Sequence, residues 1–371
     1  MKKVMLYAYS GINLGDDLFI KILCERYPNT KFVLFAPRKY KELTSSLGNL
    51  HIVPSDSYII RGFNFLLKLL KRKNTVRNYV AKTCDVGVQI GGSIFMQREG
   101  WRENTERKKR MLVKNQPFFV LGANFGPYYD EEFYLLNKSV IEKYTDICFR
   151  DQYSFNLFKD LKNVRIADDI VFQLDSNVNN DLIKSQNKNI VISVIKPSFR
   201  EELKESDSIY YEKIKDIATY FINNGYNVTL ISFCEHEGDD EAINSITKLT
   251  PKKYRKKIKK HFYKLDIEET LSIIATSDFV VATRFHSMIL GWLYGKPVFP
   301  IAYSEKMTNV MKDVGYTDFY STFDDLYNLQ AKDVYTCKDN EILDISKQVN
   351  AAENHFKELD KVLLNTQSER V

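Results

Sequence analysis

At 371 residues the chain is too long for one ordinary hydrophobic core and fits two domains of usual size. Its 44% hydrophobic and 27% charged residues exclude a disordered chain, and no apolar run is long enough to cross a bilayer as a helix. The formal charge of +6 is a mild excess, short of a nucleic-acid-binding tail and suited to an anionic substrate or surface.

Taken in order, Val4 to Tyr9 predicts a strand and Asp16 to Tyr27 a helix. The first apolar run stops after about six residues, too short for the core of a signal peptide, so the expected location is the cytoplasm, at most at the inner face of a membrane. Phe32 to Ala36 predicts a strand, Tyr58 to Leu70 a helix with a basic end, Asp85 to Ile90 a strand and Phe118 to Gly122 another. Glu131 to Lys143 predicts a helix, Ile147 to Arg150 a strand and Gln152 to Lys159 a helix. The polar stretch Asp175 to Lys188 has no periodicity and reads as a linker. Beyond it, Ile190 to Ile195 and Val228 to Phe233 predict strands, with helices over Tyr210 to Asn224, Asp239 to Leu249 and Ile267 to Ala275. Phe279 to Ala282, Met288 to Tyr294 and Pro297 to Ile301 predict a strand–helix–strand unit with Gly295 closing its helix. A last helix is expected over about Glu341 to Leu364. Such alternation predicts an α/β fold with parallel sheets covered on both faces. The expected architecture is two Rossmann-like doubly wound domains facing across a cleft: residues 1–175, residues 189–340, and a terminal helix over residues 341–371 that packs back on the first domain.

In open α/β sheets ligands bind at the carboxyl ends of the strands. There the sequence puts Arg284, His286 and Ser287 after one strand and Lys306 after the next. Guanidinium and ammonium groups beside a helix N-terminus suit a small anion. A helix N-terminus disfavours a charged imidazole, but a bound anion restores the proton, making His286 a candidate general acid. The competing reading of Arg284 and Lys306 is as surface ion pairs. Arg150 ends a first-domain strand and is either a second clamp on the anion or a solvent-facing arginine; Asp151 behind it has the position of a helix cap.

The first strand–helix turn holds Asn13, Asp16 and Asp17 where a dinucleotide site would carry G-x-G-x-x-G, and two carboxylates there suit sugar hydroxyls better than a pyrophosphate. The alternative for either aspartate is a helix cap. Gly91 and Gly92, and Asn124 in the turn after the next strand, let backbone approach a ligand. The run from Glu235 to Asp240 is rich in acids, yet it opens a helix and its spacing fits no defined metal site, so no metal is expected. Five scattered cysteines without a C-x-x-C pair read as buried thiols. The basic run Lys68 to Lys82, interleaved with Phe63, Leu66, Leu67 and Leu70, reads either as a solvated helix face or as a segment resting on an anionic membrane. No nucleic-acid partner is expected.

Several stretches together (GINLGDD, VGVQIGGSIF, LGANFGPY, FRDQYS, ADDIVFQL and above all TRFHSMILGWLYGKPVFPIAYSEKM) make the chain similar to the polysaccharide pyruvyl transferase family from roughly Gly11 to Met311. The R-x-H followed some twenty residues later by a lysine is the most specific part; Ser93 stands where the family often has a third glycine. The resemblance implies a GT-B-like fold. It also implies transfer of pyruvate from phosphoenolpyruvate to two hydroxyls of a sugar in a cell-surface polysaccharide (exopolysaccharide or capsule) or its precursor, as a cyclic ketal. No cofactor is implied beyond this co-substrate, and the acceptor would be a sugar or lipid-linked oligosaccharide. By the same resemblance Arg284, His286, Lys306 and Arg150 serve the donor. The rivals are a GT-B glycosyltransferase using a nucleotide sugar and a non-catalytic carbohydrate-binding or membrane-associated scaffold.

Overall fold

The structure, a computed structural model, describes residues 1–72, 74–175 and 188–364. The expected linker falls almost wholly outside the described residues. Two units emerge: residues 1–10, 16–173 and 349–371, and residues 11–15 and 174–348. The turn Gly11–Gly15 therefore belongs with the second unit, and the segment from Val349 onward with the first.

In the first unit the strands are β1 (Lys3–Tyr7), β2 (Lys31–Ala36), β3 (Leu50–Pro54), β4 (Val86–Ile90), β5 (Phe118–Ala123), β6 (Asp146–Phe149) and β7 (Val164–Ile166). All pair in parallel in the order β3-β2-β1-β4-β5-β6-β7. Val4, Met5 and Leu6 are buried in succession, as are Phe119, Val120 and Leu121, because a sheet covered on both faces needs apolar side chains at every position and not at alternate ones.

The second unit repeats the design with β8 (Asn189–Ser193), β9 (Asn227–Ser232), β10 (Ile258–Phe262), β11 (Phe279–Ala282), β12 (Val298–Ala302) and β13 (Ser321–Thr322). Their order is β10-β9-β8-β11-β12-β13, again parallel throughout. Ile190, Ile192, Leu230, Val281 and Phe299 form its core with Tyr210, Ile214 and Phe221 of the helix Asp207–Asn223. In each sheet the order of the strands reverses once, between β1 and β4 and between β8 and β11, and at such switch points the carboxyl ends leave a crevice.

Two expectations need correction. The helix after β11 begins at Phe285, three residues early, so His286 and Ser287 lie in its first turn and Arg284 takes the cap position. The expected last helix is broken into Ser346–Ala352, a tight turn Glu353–His355 and Lys357–Leu363. Lys306, expected after the next strand, does follow β12 and lies in the first turn of the helix Glu305–Asp313. Gly295 does sit at a φ of +60°, the left-handed conformation that ends the helix Phe285–Leu293. All five cysteines are buried thiols.

Candidate functional site

In the second unit the end of β11 is anchored from β8. Ser193 Oγ accepts the backbone N–H groups of Thr283 and Arg284, both at 3.1 Å, and Tyr210 Oη donates to Thr283 Oγ1 at 2.9 Å. These bonds fix where the next helix starts, and so where its first-turn side chains stand.

Arg284 is buried, and its guanidinium is gripped by carboxylates. Nε donates to Asp239 Oδ2 at 2.9 Å, Nη2 to Asp239 Oδ1, and Nη1 to Glu237 Oε2 at 2.5 Å. Three of the five guanidinium N–H groups are thereby taken among the described residues, which leaves two unused there. Asp239 also accepts the N–H groups of Phe233 and Cys234 at the end of β9. Burial pulls the Arg284 pKa down, but Asp239 and Glu237 outweigh it and hold the group well above its ordinary value. Partial burial pushes the half-buried Glu237 carboxyl up, yet Arg284 and Arg200 outweigh it and bring it down to about 2. Removing either partner of such a buried pair costs about 3–5 kcal/mol. The acidic run from Glu235 to Asp240 is thus taken up by cations: Glu237 and Asp239 by Arg284, Glu235 and Asp240 by Lys264.

His286 and Lys306 meet on one aromatic ring. The Lys306 ammonium stands 3.9 Å from the centre of the Phe285 ring, and the His286 imidazole packs edge-on to the same ring at 5.0 Å. The imidazole is also pressed against Gly15. A methyl group on Gly15 would lie 1.8 Å from His286 Nδ1, so only glycine leaves room for the ring. The turn is tied to the same unit by Leu14 N–H donating to Phe233 O at 3.1 Å, and Asn13 Oδ1 caps it by accepting Gly15 N–H at 3.1 Å. Ser287 is buried, and its Oγ has no hydrogen-bond partner among the described residues.

Arg200 was not among the sequence candidates. It follows β8 through Lys196 to Phe199, donates from Nη2 to Glu237 Oε2 at 2.8 Å and lies 4.4 Å from the Tyr303 ring centre. Its Nη1 is buried without a hydrogen-bond partner among the described residues. Its position after a strand's carboxyl end was the signal that could have found it.

In the first unit Arg150 is also buried. Nη1 donates to Asp169 Oδ2 and Nη2 to Asn124 Oδ1, both at 2.8 Å. It lies over Gly92, where a methyl group would come within 2.0 Å of Nη2. Asn124 N–H donates to Gly92 O at 2.8 Å, so the turns after β4, β5 and β6 form one assembly. Asp151 caps the next helix by accepting Ser154 N–H at 2.8 Å. Asp16 lies near Gly91, while Asp17 is wholly buried and accepts Tyr40 Oη at 2.9 Å. Neither aspartate is the cap; the helix Leu14–Arg26 starts before them, and Asn13 has that role.

The family model for polysaccharide pyruvyl transferase matches residues 13–305. Among curated proteins, the amylovoran biosynthesis protein AmsJ of Erwinia amylovora is 23% identical over 297 residues, covering 76% of this chain and 68% of AmsJ. Among solved structures, HepE of Anabaena in complex with UDP-glucose is similar at a TM-score of 0.59 and 13% identity, over 98% of this chain and 100% of that one. UDP-GlcNAc 2-epimerase of Neisseria meningitidis bound to UDP-GlcNAc gives 0.58 and 10% identity, over 98% and 100%. At such identities the likeness is one of fold, the two-unit α/β fold of GT-B glycosyltransferases.

Proposed function

The chain belongs to the polysaccharide pyruvyl transferase family, and from that premise we propose that it moves pyruvate from phosphoenolpyruvate to two hydroxyls of a sugar as a cyclic ketal. The family and the relative named for amylovoran biosynthesis support modification of a polysaccharide. The acceptor is a sugar of that polysaccharide or of a lipid-linked precursor. The observation that carries the donor is the meeting of His286 and Lys306 on Phe285 at a helix N-terminus, a proton carrier beside a fixed cation.

Phosphoenolpyruvate carries a carboxylate and a phosphate. Lys306, the spare N–H groups of Arg284, Arg200 Nη1 and the helix N-terminus supply complementary charge. A phosphate beside His286 favours its imidazolium form. In this reading His286 gives a proton to the methylene carbon, creating an oxocarbenium-like centre at the adjacent carbon. A sugar hydroxyl forms a C–O bond to that centre, and its proton returns to His286. The bond to the phosphate oxygen then breaks, phosphate departs, and a second hydroxyl closes the ring and yields its proton to the phosphate. Fixed cations stabilise the departing phosphate, while Arg284 is itself held rigid by Asp239 and Glu237.

Incubation with phosphoenolpyruvate and a panel of glycans tests this: one glycan should gain the mass of a pyruvate ketal with release of phosphate. His286→Ala should abolish both while keeping its unfolding transition. Phosphate release at the wild-type rate in that variant would remove His286 from the mechanism. The fold likeness to UDP-glucose-bound HepE keeps a nucleotide-sugar glycosyltransferase as the second reading, which predicts hexose transfer from a nucleotide sugar in the same panel.

A further inference from the structure

The helix Tyr58–Leu69 buries none of its residues, although most of them are apolar. Ile59, Phe63, Leu66 and Leu70 recur at the four-three-four spacing of one helical stripe and are 72%, 58%, 53% and 70% exposed. Tyr58, Phe65 and Leu69 widen the exposed apolar face. The other side is turned to the protein: Ile60 and Leu67 are half-buried, and Asn64 Oδ1 accepts Val76 N–H at 2.9 Å. Arg61, Lys68, Lys71 and Arg72 are exposed alongside, and residues 58–72 contain no acidic side chain. A surface of this kind costs free energy in water and asks for a cover.

We propose that this helix docks the protein on an anionic lipid bilayer, lying in the plane of the interface. Charge selects the partner. A second copy placed on the same face by a two-fold axis would set four cations against the same four, whereas anionic headgroups complement them and the acyl region receives Ile59, Phe63, Leu66 and Leu70. The length fixes the mode: with 12 residues the helix is too short to span, and no described helix is long and apolar enough to cross a membrane. The inference goes beyond the transferase reading and does not depend on it.

Flotation of the full chain with phosphatidylcholine vesicles, with and without phosphatidylglycerol, tests it at low and high salt. Wild type should float with the anionic vesicles, and less so as salt rises. The exposed double variant Phe63→Asp/Leu66→Asp should lose binding, and Lys68→Glu/Arg72→Glu should weaken it at least about tenfold, both with unchanged unfolding transitions. Failure of wild type to float with anionic vesicles would overturn the proposal. So would a self-association in sedimentation that Phe63→Asp/Leu66→Asp abolishes while vesicle binding persists, since the face would then cover a second copy.

Discussion

Gly15 and His286 are far apart in sequence, and their contact explains why a glycine stands in that turn. With 1.8 Å between a Gly15 methyl and Nδ1, Gly15→Ala must push the imidazole off its position on Phe285. A displacement of about an ångström at a reacting group costs on the order of a hundredfold in rate. Gly15→Ala should therefore lower kcat by roughly that factor, while overpacking takes about 1–3 kcal/mol from stability. Steady-state kinetics and urea unfolding check it; wild-type kcat would show that the position of the ring does not matter. Arg284 teaches the opposite lesson. Its place after a strand was legible, but its partners Glu237 and Asp239 come from a run that sequence could read only as a helix start or a metal cluster. Nothing local encodes a pairing between residues so far apart.

Among elements, His355 links the broken terminal helix to the loop that holds Arg150. Its Nε2 must be the donor, since it faces the Asp168 carbonyl at 2.7 Å, and neighbouring Asp169 grips Arg150. Burial brings the His355 pKa from its ordinary 6.5 to about 3, and its Nδ1 has no hydrogen-bond partner among the described residues that could accept a second proton. The folded state refuses a proton that the unfolded state accepts below pH 6.5, so this contribution to stability is whole above 6.5 and drains away as pH falls towards 3. The slope approaches about 1.4 kcal/mol per pH unit. His355→Gln, which keeps a donor but does not titrate, should flatten that slope in urea unfolding across this range; an unchanged slope would refute the assignment. The elements also show what the sequence hid. The strands that periodicity missed are β3, β7, β10 and β13, which are the four sheet edges. Central strands such as Phe118–Ala123 are apolar at every position, whereas β10 exposes Lys259 and Lys260 and β7 and β13 are very short, as edges protected from pairing tend to be. The β11 strand and Gly295, which closes the helix after it, were legible because burial on both faces and a left-handed turn each leave a residue signature.

For the whole molecule, two sheets wound in the same order supply two crevices, and this frame alone does not choose between a nucleotide sugar and phosphoenolpyruvate. The choice rests on the chemistry at the end of β11: compact cations and a histidine, without the glycine pattern of a dinucleotide turn. A ligand that binds only the folded state raises its stability by about 2.7 kcal/mol at a hundred times its Kd. Thermal unfolding of the full chain with phosphoenolpyruvate and, separately, with UDP-glucose therefore reads the choice directly. Phosphoenolpyruvate should raise Tm in wild type and much less in Lys306→Ala, with UDP-glucose leaving Tm where it was. A rise with UDP-glucose and none with phosphoenolpyruvate would contradict the account.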